Sequence, residues 1–198
     1  MPARLGHHEW MANRSGAPVR YLWLLRHAKA ASDAPRGGSD RERPLTARGR
    51  RDATALGERL VADPPLPGLE GIRRPDLAIC SAAVRTRQTA DRVIEAMGGR
   101  IPLDSYRSLY DADLDVVLRY LREVDEGVKS ALLVGHNPTI FATALDLVDR
   151  DDDDRDRATL EIHGFPTCAL AVVALALGAW EDVARGRGTL VGVFRPPY

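Results

Sequence analysis

The stretch Tyr21-Leu22-Trp23-Leu24-Leu25-Arg26-His27-Ala28-Lys29 decides the fold. Its five leading residues form an unbroken apolar run, the pattern of a strand buried on both faces. The run stops abruptly at Arg26-His27, so charged and titratable groups stand at the strand's carboxyl end.

Upstream, residues 1–19 lack apolar periodicity and contain Gly, Ser, Asn and Pro. They read as a flexible tail before a single domain over 20–198, and His7-His8 within the tail reads as incidental. Downstream, a polar loop runs from Ala31 to Pro44. Thr46 is then placed to cap a helix reaching about Asp63, with Ala53, Leu56, Leu60 and Val61 on one stripe. A Pro/Gly-rich loop leads to a second buried strand, Asp76–Cys80, and Ser81 is placed to cap a helix over about Ala82–Met97. A third helix is predicted from about Asp113 to Val124, with Leu114, Val117, Leu118 and Leu121 facing one way. Ser130–Gly135 is a strand, and Asn137-Pro138 opens a helix to about Val148, Asn as cap and Pro in the first turn. Residues 149–157, with six aspartates and three arginines, read as a solvated surface loop; they lack the glycine and terminal glutamate of an EF-hand. Thr167–Leu177 and Thr189–Phe194 close the series as strands. Strands alternating with helices predict an α/β fold, a three-layer α/β/α sandwich around a mostly parallel sheet of five to six strands.

Composition agrees with one soluble globular domain. The chain has 198 residues, 44% of them hydrophobic and 28% charged, enough for a single substantial core. Lys plus Arg and Asp plus Glu both number 28, so the formal net charge is zero, which argues against a broad nucleic-acid face. No apolar run is long enough to span a bilayer, and the N-terminus has no secretory h-region, so a cytoplasmic location is expected, with no membrane partner. Cys80 and Cys168 each lie in an apolar run that reads as a strand, and are expected to be small buried hydrophobes in a reducing compartment. No Cys/His spacing suggests a metal site, and no cofactor is expected.

In open α/β sheets the ligand sits beyond the carboxyl ends of the strands. The first strand delivers Arg26 and His27 to that edge. The second is followed by Arg85, placed about one turn into its helix, and the strand at 130–135 ends in His136 just before a helix N-terminus. Guanidinium forks and free helix N–H groups suit phosphate. A neutral imidazole can attack phosphorus and carry the group, while a second imidazole and the arginines neutralise charge during in-line transfer.

These residues resemble the histidine phosphatase superfamily, which also contains the phosphoglycerate mutases. Arg26-His27-Ala28-Lys29 is similar to its RHG/RHA signature. Arg43-Pro44-Leu45-Thr46-Ala47-Arg48-Gly49, Ser81–Thr89 and Val134-Gly135-His136-Asn137-Pro138 match in order. With the short length and the Phe165-Pro166-Thr167 approach to a late strand, the set looks most like the SixA-type phosphohistidine phosphatase branch, over about Tyr21–Arg195. The resemblance implies a phosphoglycerate-mutase-like fold, His27 as the phosphorylated nucleophile, and Arg26, Arg85 and His136 as the rest of the phosphate pocket. Arg43 either touches substrate or is a plain surface arginine, and Asn137 is a further substrate-binding candidate. Asp111, after Leu109-Tyr110, stands where mutase-like relatives place a proton-donating carboxylate; a capping or loop aspartate is an equal reading. Ala82 replaces the usual proline after Ser81, which loosens the helix start, and Ala28 replaces the commoner glycine.

The function implied is metal-independent phosphoryl transfer through His27, with phosphohistidine in a protein as leading substrate and small phosphate esters or sugar phosphates second. A binding module for phosphate or phosphoproteins, without turnover, is the alternative from another class; it would need the cations but has no use for a nucleophile.

Overall fold

The computed structural model describes residues 18–63, 65–66, 68–72, 74–149, 158, 160–162 and 164–198. The expectations for His7-His8 and for residues 150–157 of the aspartate-rich run lie outside them. Six strands form one sheet: β1 (Val19–Arg26), β2 (Leu77–Ser81), β3 (Leu103–Tyr106), β4 (Ser130–Gly135), β5 (Leu170–Ala176) and β6 (Gly188–Phe194). Their order is β3-β2-β4-β1-β5-β6. β1, β4, β2 and β3 pair in parallel, whereas β5 is antiparallel to both β1 and β6.

The apolar run at 21–25 is central, between β4 and β5, and its alternate side chains feed two cores. Tyr21, Trp23 and Leu25 meet Ala53 and Leu56 of α1 (Ala47–Val61) and Ala90, Val93 and Ile94 of α2 (Val84–Ala96). Leu22 and Leu24 face the other side, with Val117, Leu118 and Leu121 of α3 (Leu114–Arg122) and Ile140, Ala144 and Leu147 of α4 (Thr139–Leu147). The result is the expected three-layer sandwich. Each fully buried leucine on these faces stabilises it by roughly 1.5–3 kcal/mol. Among the described residues no helix is long and apolar enough to cross a membrane.

The structure corrects several local expectations. β1 starts at Val19, inside the expected tail, because Arg20 is buried and its guanidinium donates to the carbonyls of Glu126, Val128 and Gly178. The edge strand β3 went unread: Leu103-Asp104-Ser105-Tyr106 is short and half polar, which suits an edge and carries little apolar signal. Cys80 lies in β2, but Cys168 precedes β5 with φ +65°; both are free and buried. Thr46 caps α1 as expected, its hydroxyl accepting from the Gly49 amide at 3.0 Å. Asn137 does not cap α4; the helix starts at Thr139 after Pro138.

Candidate active site

The register of β1 against β4 builds the centre. Arg26 is the partner of Gly135, so the next residues, His27 and His136, leave adjacent strands at one level. The His27 amide donates to the Gly135 carbonyl at 3.0 Å, and the two imidazole centroids lie 5.2 Å apart. Both residues are only 9% exposed. His27 Nδ1 is 2.8 Å from the Ala28 carbonyl. A carbonyl can only accept, so Nδ1 carries the proton and Nε2 keeps its lone pair.

The Ala28 amide donates in turn to Thr89 Oγ1 at 3.0 Å, and that hydroxyl donates to the Arg85 carbonyl at 2.6 Å. One buried threonine thus ties the backbone beside His27 to the turn of α2 that carries Arg85. On the other side, the first turn of α1 packs against Lys29. Thr46 donates to the Lys29 carbonyl through its amide and its hydroxyl, and a Cβ at Gly49 would come within 2.1 Å of that carbonyl oxygen.

Ser81 was expected as a helix cap. The N-cap of α2 is instead Ala83, whose amide reaches Ser81 Oγ at 3.4 Å. Ser81 Oγ also lies 3.0 Å from His136 Nε2. The hydroxyl, which accepts from the Ala83 amide, can donate to Nε2, the arrangement in which the proton of His136 sits on Nδ1. That Nδ1 is buried and has no partner among the described residues.

Two guanidiniums complete the group. Arg26 Nη1 donates to the Phe165 carbonyl at 2.8 Å. Arg85, the second residue of α2 rather than a turn into it, donates to the Asp40 carbonyl and pairs with the Asp40 carboxylate. In both arginines Nε is buried without a partner among the described residues. Three buried nitrogens without a partner among the described residues, Arg26 Nε, Arg85 Nε and His136 Nδ1, therefore stand at one sheet edge with Nε2 of His27. Leaving buried donors unmet costs stability, and an anion is the kind of partner that would satisfy them.

Burial holds the His27 imidazole down to about 4, with the charges of Arg85, Arg26 and Arg43 pushing the same way and the bond to Ala28 opposing. Burial, followed by His27 and Arg85, lowers His136 to about 3. Both imidazoles are neutral near pH 7. Burial also lowers the Arg26 guanidinium from its ordinary value.

The remaining candidates occupy the surroundings. Arg43 donates to the Ala31 carbonyl and to Asp40 Oδ1, and its charge reaches His27. Asn137 Nδ2 donates to the Phe165 carbonyl at 3.0 Å, the acceptor it shares with Arg26. Asp111 lies out at the surface, its side chain 78% exposed and paired with Arg41 at 3.4 Å. The carboxylate whose charge reaches His136 belongs to Asp40, in the loop before α1. The sequence does not single out Asp40 or Tyr110 as site residues. Tyr110 sets its ring edge-on to His136 at 5.2 Å, and its hydroxyl donates to Asp40. Asp40 is one charge among many in a polar loop, and Tyr110 one aromatic before a helix, so neither gave a signal. Among the described residues no group of three or more His, Cys, Asp or Glu side chains could hold a metal ion.

Residues 22–118 match the model of the histidine phosphatase superfamily, branch 1. A chain assigned as the phosphohistidine phosphatase SixA of Nakamurella multipartitia superposes with a TM-score of 0.74 at 32% identity, covering 92% of this chain and 99% of its own. The chain belongs to the histidine phosphatase superfamily, in its SixA-type branch. The corresponding chain of Agrobacterium tumefaciens gives a TM-score of 0.70 at 32% identity, covering 90% of this chain and 99% of its own. An uncharacterized protein of Mycobacterium tuberculosis is 36% identical over 87% of this chain and 99% of its own length. The superfamily match ends before His136; the β1–β4 register is what brings that residue to His27.

Proposed function

We propose that this chain is a phosphatase that transfers the phosphoryl group of its substrate to Nε2 of His27 and then to water, with phosphohistidine in a protein as its substrate. The observation that carries the reading is the set of unmet buried donors on Arg26, Arg85 and His136 around a histidine whose Nε2 lone pair is free. In this reading they hold the equatorial phosphoryl oxygens, and Nε2 attacks in line. The N–P bond to His27 forms as the bond to the leaving atom breaks, and the leaving group takes up a proton. Water then attacks phosphorus, its oxygen going to phosphate and its protons to solvent and phosphate as His27 is freed.

The choice of a phosphoramidate rests on the carboxylate beside the pocket. The hydrogen bond from Tyr110 above all, then the charges of Arg85 and Arg43, hold Asp40 at about 2, against the opposing effect of burial. A carboxyl ionised that firmly does not protonate an alkoxide at neutral pH, whereas a leaving imidazole nitrogen is itself basic and draws its proton from solvent. Asp111 stays in the proposal as an alternative donor, and Arg43 as a cation beside the pocket. The structural neighbours in the SixA branch support the same substrate class, and we extend the reading to a cytoplasmic setting, where phosphohistidine proteins of that class would be met. A substrate panel tests the choice: kcat/KM is expected to be higher for a phosphohistidine peptide than for phosphoserine peptide, sugar phosphates or other small esters. A preference for a small ester would move the substrate to that class, and no turnover of any of them would leave a binding module.

A further inference from the structure

We propose that Asp40 is a positioning residue that sets the orientation of Arg85, an inference that rests on the phosphate pocket described above. Asp40 meets Arg85 twice. Arg85 Nη1 donates to the Asp40 backbone carbonyl at 2.8 Å, and Arg85 Nη2 lies 3.1 Å from Asp40 Oδ2. Two acceptors on one residue fix the plane of the guanidinium, where a single bond would leave it free to turn. The nitrogen left over, Nε, is the buried one without a partner. Asp40 therefore takes one N–H from each outer nitrogen, and the plane it sets fixes where the buried Nε–H and the remaining outer N–H groups point.

Asp40 is itself held on several sides. Arg43 Nη1 donates to Oδ1 at 2.6 Å, and the Tyr110 hydroxyl donates to Oδ2. Its backbone belongs to a short 3-10 turn, Asp40–Glu42, clamped where the Ser39 amide donates to Glu42 Oε2 at 2.7 Å. Both acceptors offered to Arg85 are thus fixed before any substrate arrives, the arrangement that preorganised phosphate binding requires.

The competing reading makes Asp40 an internal anion that phosphate must expel. Charge decides against it. The carboxylate already faces two guanidiniums and a phenol, so the Arg43 and Arg85 charges offset much of its own, and its loss is expected to be felt through geometry more than through relief of repulsion.

The test is titration calorimetry of inorganic phosphate on the wild type, Asp40→Ala, Arg85→Ala, the double variant and Asp40→Glu. Phosphate binding needs no turnover, so the result stands apart from the fate of the phosphatase reading. Asp40→Ala is expected to weaken phosphate by about tenfold, the size of a typical coupling between contacting residues. The double variant should bind no more weakly than Arg85→Ala, Asp40→Glu should regain part of the loss, and the thermal midpoint of Asp40→Ala should stay near that of the wild type. Where the alanine variant does not fold, Asp40→Asn is read in its place. Tighter binding in the Asp40 variant would establish the internal competitor and overturn the proposal. So would an equal loss in the Arg85→Ala background, which a purely structural role predicts.

Discussion

Arg26 and Gly135 are register partners across β1 and β4, and this single pairing carries His27 and His136 to the same height at the sheet edge. The imidazole centroids lie 5.2 Å apart, and among the described residues no carboxylate is hydrogen-bonded to either ring. Burial and the flanking arginines keep both imidazoles of this dyad neutral near pH 7.

The first prediction concerns that dyad's partners. Arg85→Ala and His136→Ala should each lower kcat/KM by on the order of 10²-fold or more, as loss of a donor to the developing phosphoryl charge does. Far-UV circular dichroism should be unchanged. Steady-state kinetics on any turned-over phosphoryl substrate checks this; near-full activity in either variant would remove that residue from the pocket.

The second concerns stability and pH. His27 and His136 are held at about 4 and about 3 in the fold, below the ordinary histidine value of 6.5. Below 6.5 the unfolded chain takes up protons that the fold refuses, so stability is full above 6.5 and falls as pH drops toward 4. Denaturant melts of wild type and a His27→Gln/His136→Gln double variant across pH 4–8 should show a shallower acid loss in the variant. Parallel slopes would mean that the two imidazoles are not the groups being titrated.

The third concerns the support under the nucleophile. Gly49→Ala puts a Cβ against the Lys29 carbonyl, which belongs to fixed backbone and cannot yield as a side-chain end would. We expect a loss of about 1–3 kcal/mol from overpacking. Activity should fall with it, because α1 is pushed off the segment that follows His27. Thr46→Ala, which removes the cap and the hydroxyl's bond to the Lys29 carbonyl but keeps the amide bond to it, should cost about 1–2 kcal/mol and lower kcat less than Gly49→Ala does. Chemical denaturation with parallel kinetics separates the two.

How far these features could be read in advance depends on the kind of signal each leaves. β1, β2 and β4 were legible because continuous apolar runs ending in polar residues have few other uses. Arg26, His27, Arg85 and His136 were legible because each sits just past such a run. β3 left no trace, since an edge strand buries little. Ser81 and Asn137 were read as caps because both residue types favour helix starts. Their side chains went instead to His136 and to the Phe165 carbonyl, partners that only the folded chain supplies. Asp40 and Tyr110 lie 70 residues apart and meet only once the loop before α1 folds over α2.

The central claim is that the phosphoryl group passes through His27. The direct measurement is to mix the protein with a radiolabelled phosphoryl substrate, stop the reaction with an alkaline denaturing quench, and locate the label by peptide mapping. The account predicts an acid-labile, base-stable phosphate on the peptide containing His27, absent from His27→Ala. Label on any other residue, or label that persists in His27→Ala, would contradict it.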